Sequence, residues 1–301
     1  MKIAIAGGTG FIGKALMSYL QKQGHDIYIL TRKKGMSTAE NVHYVEWLTP
    51  ESKPEAEIPS LNAIVNLAGE PINNGRWTKE RKKQIVSSRL YATKKVVDLI
   101  SKLDRKPEVL INASAIGIYG ISREEVFTEA TLKVGSDFLA QTVKAWEEEA
   151  KEAEQFGVRT VLARFGIVLD REEGALPRMV MPYRLFIGGK VGPGEQWVSW
   201  LHIRDAVRAI GFMINNKNIS GAVNLTSPQP VTMEEFGRTI AHVLHRPHWL
   251  PVPSFALNLL FGEMSMLVLE GQRVLPEKIQ KLGFDFSFPS LEEALFDILQ
   301  S

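Results

Sequence analysis

Short apolar runs alternate with longer segments in which apolar residues return every three or four positions, and this alternation persists through the first half of the chain. Lys2–Ala6, Asp26–Thr31, His43–Glu46, Ala63–Leu67, Val109–Ala113 and Arg159–Arg164 have the length and branched composition of buried strands. Between them, Phe11–Gln23 and Gly135–Glu154 read as helices. The long segment Thr78–Leu103 sets Val86, Leu90, Thr93, Val97 and Ile100 at helical spacing. Strand and helix in turn predict an α/β fold: a Rossmann-type doubly wound parallel sheet with helices on both faces.

The first junction of this pattern carries chemistry. Gly7, Gly10 and Gly13 fall three residues apart in Gly7-Gly-Thr-Gly-Phe-Ile-Gly13, between a strand and a helix. Gly7 permits the tight turn out of the strand, Gly10 lets the backbone approach a pyrophosphate, and Gly13 lets the helix pack close to the sheet. The free N–H groups and positive dipole end of that helix would hold the pyrophosphate. Strand two ends in Thr31-Arg32-Lys33-Lys34, with no Asp or Glu to accept bonds from a ribose 2′-OH. A hydroxyl and three cations stand there instead, and Arg offers a planar fork matched to phosphate oxygens. This favours NADP(H) over NAD.

From about Gly166 the alternation breaks. Leu169–Trp200 is loop-rich, Gly188–Gly194 and Ser227–Pro230 gather Gly and Pro, and a further helix is expected over Thr232–Leu244. Residues 246–301 hold two helical patterns and a final amphipathic helix, and the Phe residues before that helix read as core. The expected organisation is a cofactor-binding domain over 1–165, to which segments around 196–226 return. Mainly cap and substrate loops follow over 166–245, then a small C-terminal helical domain over 246–301, making a smaller C-terminal substrate cap beside the sheet.

Composition narrows the classes. The 301 residues have a formal net charge of +2 and no basic block interleaved with aromatics, which argues against nucleic acid as a partner. There is no cysteine, so thiolate catalysis and Cys-based metal sites are excluded. His242, His245 and His248 lack an acid to complete a metal set, so no metal is expected. No apolar stretch approaches the roughly 20 residues needed to span a bilayer. Met1 runs directly into the first strand, and a cytoplasmic setting without a membrane is expected. A small molecule is the expected partner; the oligomeric state is not legible.

The glycine spacing resembles that of the extended and atypical short-chain dehydrogenase/reductases. Further segments resemble the same group: Asn66-Leu-Ala-Gly-Glu70, Ser88-Arg89-Leu90, the helix Phe138–Glu147 with its Trp-Glu, and Leu269-Glu-Gly-Gln-Arg-Val274. Together they resemble an atypical branch usually labelled epimerase family protein, over roughly Lys2 to Leu299. The resemblance implies a cofactor set of Gly7, Thr9, Gly10, Phe11, Ile12, Gly13, Thr31, Arg32, Leu67, Ala68, Gly69, Glu70, Arg89, Ala113 and Leu139. Glu70 reads equally as a cofactor ligand or as a cap of the next element, and Arg89 as a cofactor or substrate ligand or as a surface ion pair.

Short-chain reductases draw their proton relay from Tyr-x-x-x-Lys on one helical face, with a Ser or Thr after the fifth strand. The helix Phe138–Glu147, where that pair is expected, carries no Tyr-x-x-x-Lys. Aligned on Glu147, Leu139 takes the tyrosine position and Val143 the lysine position; shifted by one, Ala140 and Lys144 do. Ser114 is the candidate polarising hydroxyl, with Ala115 taking its place in the other register, and Tyr119 is the nearest phenol. Arg178 and Lys190 on the cap loops, and His202 before Asp205, complete the candidates as substrate-facing residues. The expected activity is an NADP(H)-dependent oxidoreductase or epimerase-like enzyme on a small molecule. The alternative is a non-catalytic NADP(H)-binding redox sensor, which the missing relay would explain.

Overall fold

A computed structural model describes residues 1–32 and 40–300. Seven strands form one parallel sheet in the order β11-β7-β5-β4-β1-β2-β3. They are β1 (Lys2–Ala6), β2 (Asp26–Thr31), β3 (Val42–Glu46), β4 (Ala63–Asn66), β5 (Val109–Ala115), β7 (Arg159–Phe165) and β11 (Gly221–Leu225). Six short strands pair off in twos outside it: β6 (Val126–Phe127) with β13 (Arg273–Val274), β8 (Ile167–Leu169) with β10 (Trp200–His202), and β9 (Trp197–Val198) with β12 (Val231–Thr232). The helices are α1 (Phe11–Lys22), α2 (Pro54–Glu57), α3 (Lys79–Lys102), α4 (Phe138–Lys151), α5 (Leu176–Arg184), α6 (Ile203–Asn215), α7 (Met233–Leu244), α8 (Ser254–Phe261), α9 (Met266–Leu269), α10 (Glu277–Lys281) and α11 (Leu291–Gln300).

The β1 sequence shows why the sheet is doubly covered. Ile3 and Ile5 enter the core shared with α1 and α6, while Ala4 and Ala6 enter the core beneath α3. Side chains alternate between faces, so a strand buried on both sides must be apolar throughout. Strand order reverses between β1 and β4, and this switch point opens a crevice at the carboxyl ends of the strands.

β5 runs two residues further than the apolar run suggested. Its ladder with β7 continues through Ser114↔Arg164 to Ala115↔Phe165, which makes Ser114 and Ala115 strand residues facing opposite ways. α4 starts at Phe138 because the Asp137 carboxylate accepts from the Leu139 and Ala140 N–H groups, at 2.9 and 3.1 Å. Beyond β7, α5, α7 and α11 share a third core around Trp200 and Phe236. The last fifty-odd residues are spread over the rest of the chain: β13 pairs with β6, α10 packs on β11, and α11 lies on α7.

Candidate active site

The glycine turn is built for close approach. Gly7 has φ +78°, and a Cβ there would lie 2.8 Å from the Leu67 carbonyl carbon; one on Gly13 would lie 2.2 Å from the Gly7 oxygen. Gly10 is the exposed N-cap of α1, with no side chain capping the helix and no acidic residue in its first turn. The positive end of α1 is thus presented to the crevice with no acidic residue in its own first turn. Thr9 is exposed beside it, and Phe11 and Ile12 are half-buried. The β1–β2 and β1–β4 registers set Ala6 beside Leu30 and Asn66, so Thr31, Arg32 and Leu67–Gly69 border the same edge. Arg32 is exposed at the end of β2; Lys33 and Lys34 lie outside the described residues.

The Asn66-Leu-Ala-Gly-Glu70 segment is tied down by side chains. Asn66 donates to Thr93 Oγ1 at 2.9 Å and to Asn112 Oδ1 at 2.6 Å, and its own oxygen accepts from the Ala68 N–H. The Glu70 N–H donates to Ser88 Oγ, and its carboxylate meets Arg81 at 3.4 Å. Arg89 donates to the Glu70 and Ile85 carbonyls at 3.0 and 3.1 Å and lies 5.2 Å from the Trp146 ring. Burial pushes its pKa down to about 10, against the field of Glu70, so it stays a cation at neutral pH.

A cleft of about 290 Å³ opens next to this segment, between the end of β5 and α4. Ala115, Leu139, Val143 and Trp146 line it, with Phe165 from β7 and Arg89 from α3. Of the two alignments' residues, Leu139 and Val143 face the cleft, whereas Ala140 is fully buried and Lys144 is exposed with its ammonium 4.0 Å from Glu148. Ala115, Leu139 and Val143 all line this cleft. None of them carries an exchangeable proton on its side chain.

Ser114 and Tyr119 do not reach this cleft, and strand alternation is the reason. The Ser114–Arg164 row points away from it, into a closed polar network. Ser114 Oγ donates to Glu147 at 2.5 Å, and Arg164 grips Glu147 through Nε and Nη2, both at 2.8 Å. Arg164 Nη1 donates to the Tyr119 hydroxyl at 2.9 Å, and that hydroxyl donates to Asn224 Oδ1 at 2.8 Å. Tyr119 is 2% exposed, so its donor and acceptor are both spent inside the protein. Burial raises the phenol pKa, with Arg164 pulling against it, so this phenol stays protonated at neutral pH. Burial also opposes the Arg164 charge, but the bonds and field of Glu147 outweigh it and raise the guanidinium pKa.

The three substrate-facing candidates lie elsewhere too. Arg178 is exposed and donates to the Asn73 carbonyl at 3.2 Å, and Lys190 is exposed on its loop. His202 is 1% exposed and caps α6: its Nδ1 accepts from the Arg204 N–H at 3.0 Å, and its Nε2 meets Asp297 at 3.2 Å. Burial lowers its pKa against the field of Asp297. It is a neutral imidazole with a capping role. Ala113, one row below the edge, is buried, and Leu139 lines the cleft.

Sequence reasoning missed the roof of the cleft. Ile72 comes from the loop after Glu70, while Trp197, Met266, Leu267, Glu270 and Gln272 come from the second half of the chain. The Leu269–Val274 motif had marked the segment without assigning it a task. Arg76 clasps this roof by donating to the Leu259 and Leu260 carbonyls at 2.6 and 3.1 Å, and Lys82 pairs with Glu263. Among the described residues no three His, Asp or Glu side chains gather as a metal site, and no helix is long and apolar enough to cross a membrane.

Comparisons with known proteins bear on the family and the fold. Residues 3–225 match the model of the NAD dependent epimerase/dehydratase family, and residues 252–298 match a domain of unknown function, DUF1731. The epimerase family protein YfhF of Bacillus subtilis is 48% identical, covering 99% of this chain and 98% of its own length. The epimerase family protein SAR0825 of Staphylococcus aureus is 43% identical, over 98% of both. The human epimerase family protein SDR39U1, solved with NADPH, superposes with a TM-score of 0.89 at 31% identity over 100% of both chains. With its seven-stranded Rossmann sheet, glycine turn and C-terminal segment, the chain belongs to the NAD dependent epimerase/dehydratase family, in the atypical short-chain reductase branch called epimerase family proteins.

Proposed function

We propose that this chain is an NADP(H)-dependent oxidoreductase acting on a small, largely apolar molecule in the cytoplasm, and that it works without the reductase phenol relay. One observation carries the reading: the glycine cradle and an apolar cleft share one sheet edge, and the cleft wall is closed by side chains from both halves of the chain. The residues present fit the cofactor. The Gly7–Gly13 turn has no room for a Cβ at either end, and an uncapped helix end faces the crevice. Arg32 stands at the end of β2 where an NAD-specific unit would carry an acid. The human relative's structure with NADPH supports the choice of phosphate form.

Bound NADP(H) would supply or accept a hydride at its nicotinamide C4. The chain's own task is to position and to exclude water. The Gly7–Gly13 turn would hold the pyrophosphate, Arg32 the 2′-phosphate, and Arg89 a further anionic or hydroxyl group next to Glu70. Leu139, Val143, Trp146 and Phe165 would exclude water from the reacting face. Because Ala115, Leu139 and Val143 move no proton, the substrate must exchange it with water or with another wall of the cleft. The same observation favours a second reading, a redox sensor that binds NADP(H) without turning it over.

Fluorescence titration with NADPH and NADH tests the first step. Arg32→Asp should weaken NADPH by about tenfold or more while leaving NADH within about twofold, because it sets like charge against the phosphate. Equal weakening of both would overturn the NADP(H) assignment. NADPH consumption across carbonyl, imine and nucleotide-sugar panels then separates the two readings. Turnover on any class establishes the oxidoreductase, and tight binding with no turnover favours the sensor.

A further inference from the structure

We propose that Glu270, supplied by the C-terminal domain of unknown function, makes the site bind the oxidised cofactor in preference to the reduced one. The inference rests on the cofactor seat proposed above. The dinucleotide crosses the crevice with its pyrophosphate on the glycine turn and its phosphate-bearing adenosine toward Arg32. Its other half then extends toward β4 and β5, where the cleft opens. Among the described residues, three charged side chains line that cleft: Arg89, Asp137 and Glu270. Arg89 is bonded to two carbonyls, and an Asp137 oxygen is occupied by the first N–H groups of α4. The Glu270 carboxylate has neither a hydrogen-bond nor an ion-pair partner among the described residues.

The chain around Glu270 is clamped, which fixes the backbone that carries this carboxylate. Gln196, fully buried, donates through Nε2 to the Val268 carbonyl at 2.9 Å and to the Val191 carbonyl at 3.1 Å. The Gln272 carbonyl accepts from Ser199 Oγ at 2.9 Å. A Cβ on Gly271 would lie 2.0 Å from the Trp197 oxygen, so that backbone sits directly on β9. A carboxylate held on an apolar wall interacts far more strongly with a charge than one in water. The nicotinamide ring is cationic when oxidised and neutral when reduced. Glu270 therefore stabilises NADP⁺ and leaves NADPH almost untouched. The C-terminal domain thus tunes which redox form occupies the site.

The test needs only the two nucleotides and the intact chain. Isothermal titration with NADP⁺ and with NADPH gives the ratio of their dissociation constants in wild type, Glu270→Gln and the distant surface control Glu292→Gln. Glu270→Gln should weaken NADP⁺ by about fivefold, leave NADPH within about twofold, and so shift the ratio, while the control shifts nothing. Gln272→Glu, which adds a carboxylate to the same wall, should shift the ratio the other way. Equal weakening of both forms, or no change in either variant, overturns the role of Glu270 and leaves the cofactor seat standing. Failure of the wild type to bind either nucleotide overturns both.

Discussion

The β1 and β5 ends of the central sheet lie on the same edge, yet they hold opposite kinds of site. At β1 the turn is made of backbone: Gly7 and Gly13 leave no space for side chains, and the start of α1 is left uncapped. At β5 the wall is made of side chains, among them Ala115, Leu139 and Val143. One end leaves backbone open to close approach, and the other presents an apolar wall. The polar groups at the β5 end sit one row back, where Ser114, Glu147, Arg164 and Tyr119 satisfy one another out of reach of the cleft.

The strongest way to break this contrast is to unpair the hidden row. Glu147→Leu leaves Arg164 as a buried, uncompensated cation, and the loss of stability should be about 3–5 kcal/mol by urea denaturation. A loss below about 1 kcal/mol would mean that water reaches the pair. A second route is to rebuild the relay at the β5 end. With Leu139→Tyr and Val143→Lys together, the introduced phenol should titrate about one unit or more lower than with Leu139→Tyr alone, read by difference absorbance. An identical titration would show that positions 139 and 143 do not share the cleft.

The smallest expected effect concerns His202, far from either end. Its folded pKa lies below the ordinary 6.5, because burial disfavours the charged ring. At higher pH the ring is neutral in both states. As pH falls through that value the unfolded chain binds a proton that the folded chain refuses, so stability declines until the folded ring titrates as well. His202→Asn supplies a capping oxygen in place of the ring nitrogen and should reduce this decline between about pH 7 and about pH 5, measured by thermal unfolding. An unchanged decline would place the acid sensitivity elsewhere.

Much of the fold was legible because buried parallel strands are apolar on both faces and their helices are periodic. The glycine turn was legible for the same reason, since all its parts are neighbours in sequence. The cleft was not. Whether Ser114 or Ala115 faces it depends on two extra rungs of the β5–β7 ladder, which no local pattern announces. Arg164 follows the apolar Val161-Leu-Ala163 of β7, and nothing in the local pattern named Glu147 as its partner. Trp197, Met266 and Glu270 reach the cleft from the second half of the chain, through pairing and clasping contacts that only the folded chain assembles.

A crystal structure of the chain with NADP⁺ bound tests the central claim most directly. It should show the pyrophosphate on the Gly7–Gly13 turn and the nicotinamide in the cleft beside Ala115, Leu139 and Val143, with Ser114 still on Glu147 and Tyr119 still on Asn224. A nicotinamide outside that cleft, or Ser114 or Tyr119 turned into it and bonded to the ligand, would contradict the account.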